Sequence, residues 1–234
     1  YLGAASGLEE DPIWTETYFP PGFVNQVVSV AAAGDVDGDG FGDVLVGQPY
    51  FGTSTGRALL YRGSSAGPEQ APDWSIEGSL DFAQFGYSLA AAGDVDGDAF
   101  DDVVVAAPFH ESVEQNEGWV FLYHGSTTCL EDFPGWTAQS DNASASMGIS
   151  VTGIPDVNGD GLSDLLFGAE GYGDGSNPGG AFVYSSCDGP GTAYCSANPN
   201  STGAAASISA WCSTSSAAGE LRLVAAPVPD QFGV

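Results

Sequence analysis

The sequence predicts an all-β protein in which a unit of roughly 60 residues repeats and folds each time as four short strands. Three observations lead to this fold class. Glycine and proline are abundant, at 34 and 14 of 234 residues, which favours tight turns. An acidic nine-residue motif occurs three times. The same kinds of apolar segment flank every copy of that motif, so the repeat extends beyond the motif itself.

The acidic motif sets the period of the repeat. It begins at Asp35, Asp94 and Asp156 and reads DVDGDGFGD, DVDGDAFDD and DVNGDGLSD. The steps between copies are 94 − 35 = 59 and 156 − 94 = 62 residues. A nearly constant step indicates that each copy belongs to one structural unit of a repeat architecture.

The strands of each unit follow in a fixed order. A small-residue strand precedes the motif at residues 29–33, 88–92 and 150–154, and an apolar strand follows it at 44–46, 103–105 and 165–167. A third strand ends in tyrosine at residues 58–61, 120–123 and 181–184. A tryptophan 13 positions after the tyrosine, Trp74 or Trp136, marks the fourth strand. Four strands are typical of one propeller blade, and such blades must stack to bury both faces.

The same pattern divides the chain. Tyr1 and Trp14 keep the tyrosine-to-tryptophan spacing, so residues 1–22 are interpreted as the end of a preceding repeat. Repeats are predicted at 23–82, 83–144 and 145–186, which makes about three blades and a partial one. Residues 187–234 are predicted to form a small, truncated C-terminal β module. We expect the chain to be cut from a longer one, and the alternative is that the N-terminal half-repeat completes a sheet elsewhere. As an alternative to the C-terminal module, Gln231–Gly233 opens another repeat.

These residues resemble the FG-GAP repeat family, found in the integrin alpha-subunit propeller and in bacterial surface proteins. Phe85 and Gly86 open the second repeat, and Met147 and Gly148 open the third, whereas the first departs with Gln26 and Val27. The Gly-Ala-Pro element appears at residues 47–49, 106–108 and 168–170 as GQP, AAP and GAE. The resemblance covers residues 1–186 and implies a β-propeller of the integrin type.

The motif Asp-x-Asp-x-Asp-Gly-x-x-Asp predicts a calcium loop, because calcium takes six to eight hard oxygen ligands in a flexible shell. Positions one, three, five and nine supply side-chain oxygens, and position seven supplies a backbone carbonyl. Up to three Ca²⁺ ions are expected, and Mg²⁺ is disfavoured because it keeps more water ligands. The predicted ligands, with Phe41, Phe100 and Leu162 acting through their carbonyls, are Asp35, Asp37, Asp39, Phe41 and Asp43; Asp94, Asp96, Asp98, Phe100 and Asp102; and Asp156, Asn158, Asp160, Leu162 and Asp164.

Two loops depart from the full motif. Position six requires a left-handed backbone, which Gly40 and Gly161 adopt easily, whereas Ala99 strains the second loop by about 1 kcal/mol. Asn158 removes one carboxylate from the third loop. The alternative is that the motifs are solvated acidic turns without metal. It is disfavoured because four carboxylates in one turn repel one another unless a cation lies among them. A structural role for the ions is favoured, and affinities of roughly 10⁻⁴–10⁻³ M predict an extracellular location.

The charge of the chain excludes several classes of partner. It carries 31 acidic residues against three basic ones, Arg57, Arg62 and Arg222, for a net charge of −28. No basic surface exists to bind nucleic acid or an anionic membrane surface. No apolar run reaches the roughly 18 residues that a membrane span needs. Hydrophobic residues at 43% nevertheless suffice for a core.

The four cysteines leave alternatives open. None lies in a Cys-x-x-Cys pair, which argues against zinc. They are either buried thiols or one or two disulfides, and four cysteines allow three pairings. Cys195–Cys212 is preferred because both flank one tail segment, and Cys129–Cys187 then remains. Residues 142–144 and 200–202 form weak glycosylation sequons.

No catalytic residue is predicted. His110 and His124 are interpreted as exposed loop and turn residues, and no nucleophile or phosphate-binding motif is present. Trp14, Trp74 and Trp136 keep the repeat register and are expected to pack blades, whereas Trp119 and Trp211 are candidates for sugar contact. The acidic residues Glu111, Glu114 and Glu117 are expected to lie in a solvated loop.

The predicted function is that of a calcium-stabilised, non-enzymatic extracellular repeat protein with an adhesive or structural role. Self-association into a surface filament is expected because the incomplete set of blades leaves exposed end faces. The alternatives are a carbohydrate- or protein-binding module of the lectin or integrin kind and an accessory module of a larger secreted enzyme. Partners are other subunits, surface ligands or glycans.

Overall fold

The computed structural model describes residues 3–4, 7–8, 11–15, 29–112, 114–173, 179–185, 209–211 and 220–222. In these ranges the chain consists of strands and turns, and no helix is present. Two strands of two residues, β1 (Gly3–Ala4) and β2 (Gly7–Leu8), pair at the start. The all-β fold class predicted from the sequence is confirmed.

The first four-stranded sheet, blade 1, contains β3 (Ser29–Gly34), β4 (Asp43–Gln48), β5 (Arg57–Tyr61) and β6 (Trp74–Glu77). The strands pair antiparallel in chain order. Each turn therefore joins neighbours at alternate ends of the sheet. The acidic motif connects β3 to β4, and the end of β3 carries a register shift between Ala32 and Gly34 that leads into the motif.

The second sheet, blade 2, repeats this arrangement with β7 (Ser88–Gly93), β8 (Asp102–Ala107), β9 (Trp119–Tyr123) and β10 (Trp136–Gln139). Its register matches that of blade 1: Val44 pairs with Tyr61, and Val103 pairs with Tyr123. The register shift recurs between Ala91 and Gly93. Equal register places the motif at the same end of both sheets.

Blade 3 contains three described strands, β11 (Met147–Ile154), β12 (Asp164–Ala169) and β13 (Gly180–Tyr184). Its first strand starts at Met147, earlier than the predicted 150, with an irregularity between Met147 and Ser150. In the predicted C-terminal module, β14 (Ser209–Trp211) pairs antiparallel with β15 (Glu220–Arg222).

Adjacent blades pack face to face. Leu45 and Leu60 of blade 1 join Val103 of blade 2 in one buried cluster. The next residue, Val104, points the other way and packs with Leu165 of blade 3. Side chains alternate across a strand, so a strand covered on both faces is apolar at every position. This explains the continuous apolar run of β8, which is buried along its whole length.

A tryptophan links each unit to the next. Trp74 lies edge-on to Tyr123 at 5.1 Å and 72°, and Trp136 lies edge-on to Tyr184 at 5.1 Å and 67°. Trp14 takes the same position against Tyr61, at 5.1 Å and 65°. The tryptophans with repeat spacing therefore pack blades, as the sequence predicts.

The outer faces of the blade stack are less covered than the inner ones. Val30 of blade 1 is 70% exposed, whereas its counterparts Leu89 and Val151 are 6% and 7% exposed. On blade 3, Ala181 is exposed, whereas its counterparts Ala58 and Val120 are fully buried. In the described part of the chain, the two ends of the stack thus present apolar strand positions to solvent.

Cys129 is a buried free thiol, so the predicted Cys129–Cys187 bridge is wrong. Burial raises the pKa of this thiol to about 11, which keeps it protonated at neutral pH. Cys187, Cys195 and Cys212 lie outside the described residues, as does the predicted repeat start at Gln231–Gly233.

No described helix is long and apolar enough to cross a membrane.

Candidate metal centre

The three acidic motifs form loops at one end of the blades, because each connects the first strand of its sheet to the second. In loop 1, residues 35–43, the Asp35 carboxylate accepts the amides of Asp39 at 3.0 Å and Gly40 at 2.9 Å. Asp39 accepts the amide of Phe41 at 2.8 Å. One oxygen each of Asp35, Asp37 and Asp39 lies within 4.8 Å of the others. These hydrogen bonds fold the turn so that three carboxylates converge.

Loop 2, residues 94–102, is folded by a similar set of internal bonds. Asp94 accepts the amides of Gly97 at 2.6 Å and Ala99 at 3.0 Å. The carboxylates of Asp94, Asp96 and Asp98 again converge within 4.8 Å. Burial, followed by the neighbouring charge of Asp102, raises the pKa of Asp96.

Loop 3, residues 156–164, keeps the turn with one amide in place of a carboxylate. Asp156 accepts the amides of Gly159 at 2.5 Å and Gly161 at 2.8 Å, and the bond from Gly161 is the largest cause of its lowered pKa. The Asn158 amide donates to Asp160 at 2.8 Å, and its carbonyl oxygen accepts the Asp160 amide at 3.0 Å. Asn158 therefore presents an oxygen at position three without adding charge.

The ninth-position aspartates, Asp43, Asp102 and Asp164, are buried. One oxygen of each accepts the amide of the second loop residue: Val36 at 2.9 Å, Val95 at 2.8 Å and Val157 at 2.7 Å. The other oxygens of Asp43 and Asp102 accept the amides of Gly63 at 2.8 Å and Gly125 at 2.9 Å. Burial raises the pKa of Asp43, and the bonds from the Gly63 and Val36 amides oppose this rise. These aspartates thus tie each loop to its sheet.

The backbone of position six is left-handed in every loop. The φ angles are 91° at Gly40, 75° at Ala99 and 91° at Gly161, so the conformation predicted there is confirmed. Position four, Gly38, Gly97 or Gly159, is also left-handed, which was not predicted from the sequence. A Cβ at Gly38 would lie 2.8 Å from the ring of Phe100, so the next loop packs directly on this glycine.

Neighbouring loops are hydrogen-bonded to each other. The Asp101 amide donates to the Asp35 carbonyl at 3.1 Å, and the Asp101 carboxylate accepts the Asp35 amide at 2.8 Å. The Ser163 amide donates to the Asp94 carbonyl at 2.9 Å. This eighth position is not among the predicted ligands, although Asp101 is the one acidic residue that adds a fifth carboxylate to a loop.

Two basic residues lie against the loops. Arg62 Nη1 lies 3.0 Å from Asp37 Oδ2. His124 Nδ1 lies 3.3 Å from Asp96 Oδ2 and 3.4 Å from Asp102 Oδ1. The hydrogen bond to Asp102, followed by nearby negative charges, raises the pKa of His124 against burial. The prediction of a plain surface turn residue is wrong, because the side chain of His124 is only 20% exposed.

The donor set of each loop fits a hard divalent cation. Loops 1 and 2 each bring three carboxylates together. In loop 3, the Asp160 amide donates to both Asp156 and Asn158, and the Asn158 amide donates to the Asp160 carboxylate. The side chains of all three loops offer oxygen donors, and like charges at such distances are stabilised by a cation among them. The amides of Phe41, Phe100 and Leu162 bond to the fifth loop residue, and the ligand role of their carbonyls stays a prediction.

Of the histidine, glutamate and tryptophan side chains considered outside the loops, His110, Glu117 and Trp119 pack against other residues. His110 is 8% exposed, not an exposed loop residue, because its ring stacks on Trp119 at 4.5 Å. Glu117 is fully buried, unlike Glu111 and Glu114, and accepts the amide of Ser112 at 2.8 Å, so the prediction of a wholly solvated acidic loop is wrong. The side chain of Trp211 lies outside the described residues.

Comparison with known proteins identifies similar repeats around loops 1 and 2. Residues 27–61 and 85–121 match the family model described as FG-GAP repeat. The chain is 31% identical to integrin alpha-4 of Xenopus laevis over 149 residues, 60% of this chain and 14% of that protein. It is 33% identical to integrin alpha-7 of Homo sapiens over 143 residues, 59% and 12% of the two chains.

A third relative, integrin alpha-PS2 of Drosophila melanogaster, is 33% identical over 147 residues, which cover 58% of this chain and 10% of that protein. The chain thus spans a small part of the length of these relatives. The predicted resemblance to bacterial surface proteins stays a prediction. The repeat match and the antiparallel sheets together show FG-GAP repeats at residues 27–61 and 85–121, in a chain that is similar to integrin-like β-propeller repeat proteins.

Proposed function

We propose that the chain is a calcium-stabilised, extracellular protein-binding module with an adhesive role and no enzymatic activity. The observation that carries the proposal is the threefold repetition of one oxygen-lined loop at one end of the blade stack. Relatives named as integrins support the adhesive part of the proposal. A Ca²⁺ affinity near millimolar suits an extracellular module.

The proposed role of Ca²⁺ is structural. Each ion offsets repulsion among the carboxylates of a loop and fixes the connection between the first two strands of a blade. The ninth-position aspartates and the contacts between neighbouring loops pass this order on to the blade interfaces. Ca²⁺ is favoured over Mg²⁺ because several carboxylates converge in each loop, whereas Mg²⁺ keeps more of its water ligands.

Thermal unfolding in Ca²⁺, Mg²⁺ and chelator tests the structural role. At 100 times the dissociation constant, one bound ion stabilises the fold by about 2.7 kcal/mol, so 10 mM Ca²⁺ is expected to raise Tm by several degrees. Asp37→Asn and Asp96→Asn should each reduce this rise, whereas the exposed Asp132→Asn, outside the loops, should leave it unchanged. An equal Tm in Ca²⁺ and chelator contradicts the proposal.

Binding to immobilised extracellular matrix proteins and to a glycan array tests the adhesive role. Calcium-dependent binding to a protein ligand, weakened in the Asp96→Asn variant, is the expected result. Binding to glycans alone favours the lectin-like alternative. Activity found only with an attached catalytic domain favours the accessory-module alternative, and binding to nothing in either format contradicts adhesion.

Self-association is a second candidate function, favoured by the exposed strand positions at the two ends of the stack. Val30 and Ala181 lie where other blades are buried. Light scattering in millimolar Ca²⁺ is expected to give a mass well above the 23.8 kDa of one chain, and Val30→Glu or Ala181→Glu should lower it. A monomer at all concentrations contradicts this candidate.

A further inference from the structure

The residue after the last tyrosine of each third strand differs among the blades. It is Arg62 in blade 1, His124 in blade 2 and Ser185 in blade 3. The position is structurally equivalent, because Tyr61, Tyr123 and Tyr184 pair with Val44, Val103 and Leu165 at the same register. The same repeat position thus holds a permanent cation, an imidazole and a neutral hydroxyl in three similar blades.

Arg62 is held between two carboxylates. Its Nη1 lies 3.0 Å from Asp37 Oδ2, and its Nε lies 2.6 Å from Asp73 Oδ2. The side chain of Asp37 is only 6% exposed, so the contact is shielded from solvent on the side of the loop. Asp37 belongs to the convergent cluster of loop 1. The guanidinium therefore occupies one oxygen of a carboxylate that loop 1 offers to a cation.

Blade 2 is built for a different side chain. Asp73 and Gly135 are equivalent, because their amides donate to Leu60 and Leu122, each at 2.9 Å, just before Trp74 and Trp136. A side chain at Gly135 would clash with the imidazole of His124. The carboxylate that orients Arg62 is therefore specific to blade 1, which makes the arginine and Asp73 a matched pair.

We propose that Arg62 sets the cation affinity of loop 1: its guanidinium acts as a resident counter-cation on Asp37 and weakens divalent-ion binding there. The inference rests on the proposed calcium role of the loops. A divalent ion among the carboxylates is repelled by the guanidinium and competes with it for Asp37. At low Ca²⁺ the arginine neutralises part of the loop charge, so loop 1 depends less on the ion for its shape than it would with a neutral residue.

Ca²⁺ titrations of the full chain, followed by NMR at the amides of Gly40, Ala99 and Gly161, report each loop separately. Arg62→Gln removes the charge and is expected to tighten binding at loop 1 about tenfold, with loops 2 and 3 unchanged. Arg62→Lys keeps a positive charge and should retain weak binding. Arg57→Gln is the matched control, because it removes an equal charge at the opposite end of β5.

Thermal unfolding supplies a second readout. Arg62→Gln should lower Tm in chelator and enlarge the Tm rise on adding Ca²⁺. If the arginine were merely structural, its loss would lower Tm equally in chelator and in Ca²⁺, so the rise would stay the same. Unchanged or weaker binding at loop 1 in Arg62→Gln, with Ca²⁺ still binding at loops 2 and 3, overturns this inference alone. Absence of Ca²⁺ binding at all three loops of the unchanged chain overturns both this inference and the proposed function.

Discussion

Ala99 shows how a single residue carries strain that its repeat counterparts avoid. Its φ of 75° lies in the left-handed region, where Gly40 and Gly161 carry no Cβ penalty. The amide of Ala99 donates to Asp94 at 3.0 Å, so the turn of loop 2 depends on this strained conformation.

Replacing Ala99 with glycine is therefore expected to raise the free energy of unfolding by about 0.5–1 kcal/mol, because the left-handed strain is removed. Chemical denaturation in a fixed Ca²⁺ concentration measures the change. Gly40→Ala is the matched control and should destabilise the chain by a similar amount. A lower stability of Ala99→Gly would show that chain entropy outweighs the strain.

His110 replaces an aromatic ring of blade 1. It lies 59 residues after Phe51, whose ring is covered by the Arg57 guanidinium at 3.9 Å, whereas His110 stacks on Trp119. Both blades thus stack a nitrogen-containing side chain on an aromatic ring. The ring comes from the earlier residue, Phe51, in blade 1 and from the later residue, Trp119, in blade 2. Burial lowers the pKa of His110, and the charge of Glu117 opposes this.

The lowered pKa of His110 predicts how the stability of the protein depends on pH in acid. Because the unfolded chain takes up the His110 proton near pH 6.5 and the folded chain resists it, stability should fall as pH drops below 6.5. His110→Phe should reduce the loss of Tm between pH 7 and pH 5. His124, whose raised pKa acts in the opposite direction, contributes equally to both proteins. An identical pH profile for the variant would contradict this.

At the scale of elements, each blade is fastened to the next by its tryptophan. Trp74 is buried, lies edge-on to Tyr123 and donates its indole N–H to the Glu131 carbonyl at 3.1 Å. Trp14 makes the same two kinds of contact, to Tyr61 and to the Glu69 carbonyl at 2.9 Å, but is half-buried. The contacts are equivalent, and the burial is not.

We expect Trp74→Ala to lower the free energy of unfolding by about 3–5 kcal/mol, because a large buried aromatic side chain and its hydrogen bond are lost. Trp14→Ala should cost clearly less, since water already reaches that ring. Denaturant titration followed by circular dichroism compares the two. Equal losses would mean that burial does not decide the contribution of this contact.

At the scale of the whole molecule, the net charge of −28 opposes compaction, because only three arginines counter 31 acidic side chains. The Debye length falls from about 30 Å at 0.01 M salt to about 8 Å at 0.15 M. Repulsion between carboxylates on different blades is therefore screened over this range.

In chelator, raising NaCl from 0.01 M to 0.3 M should increase Tm by several degrees, and the increase should be smaller in 10 mM Ca²⁺ because bound ions already lower the charge. Differential scanning calorimetry measures both series. Sucrose at matched osmolality is the control for exclusion effects. A Tm that falls with NaCl in chelator would show that attractive ion pairs outweigh the repulsion.

The amino-acid sequence by itself determined the features that repeat along the chain: the strands, their order, the turn with a left-handed sixth position, and the tryptophan that follows a third strand. These follow from local chemistry and from a period of 59 to 62 residues, since equivalent residues adopt equivalent backbones; the tryptophan follows the third strands of blades 1 and 2 only. The stacking of the blades also follows, because the apolar runs require cover on both faces.

Only the tertiary structure decided what lies against each loop and which polar groups are buried. Arg62 reaches Asp37 from 25 positions away, Asp101 bonds to Asp35 across a blade boundary, and His110 is covered by Trp119. Such contacts join different turns and different blades, so no local pattern contains them. Residues at equivalent repeat positions differ because the side chains around them differ from blade to blade. That packing is a property of the folded stack.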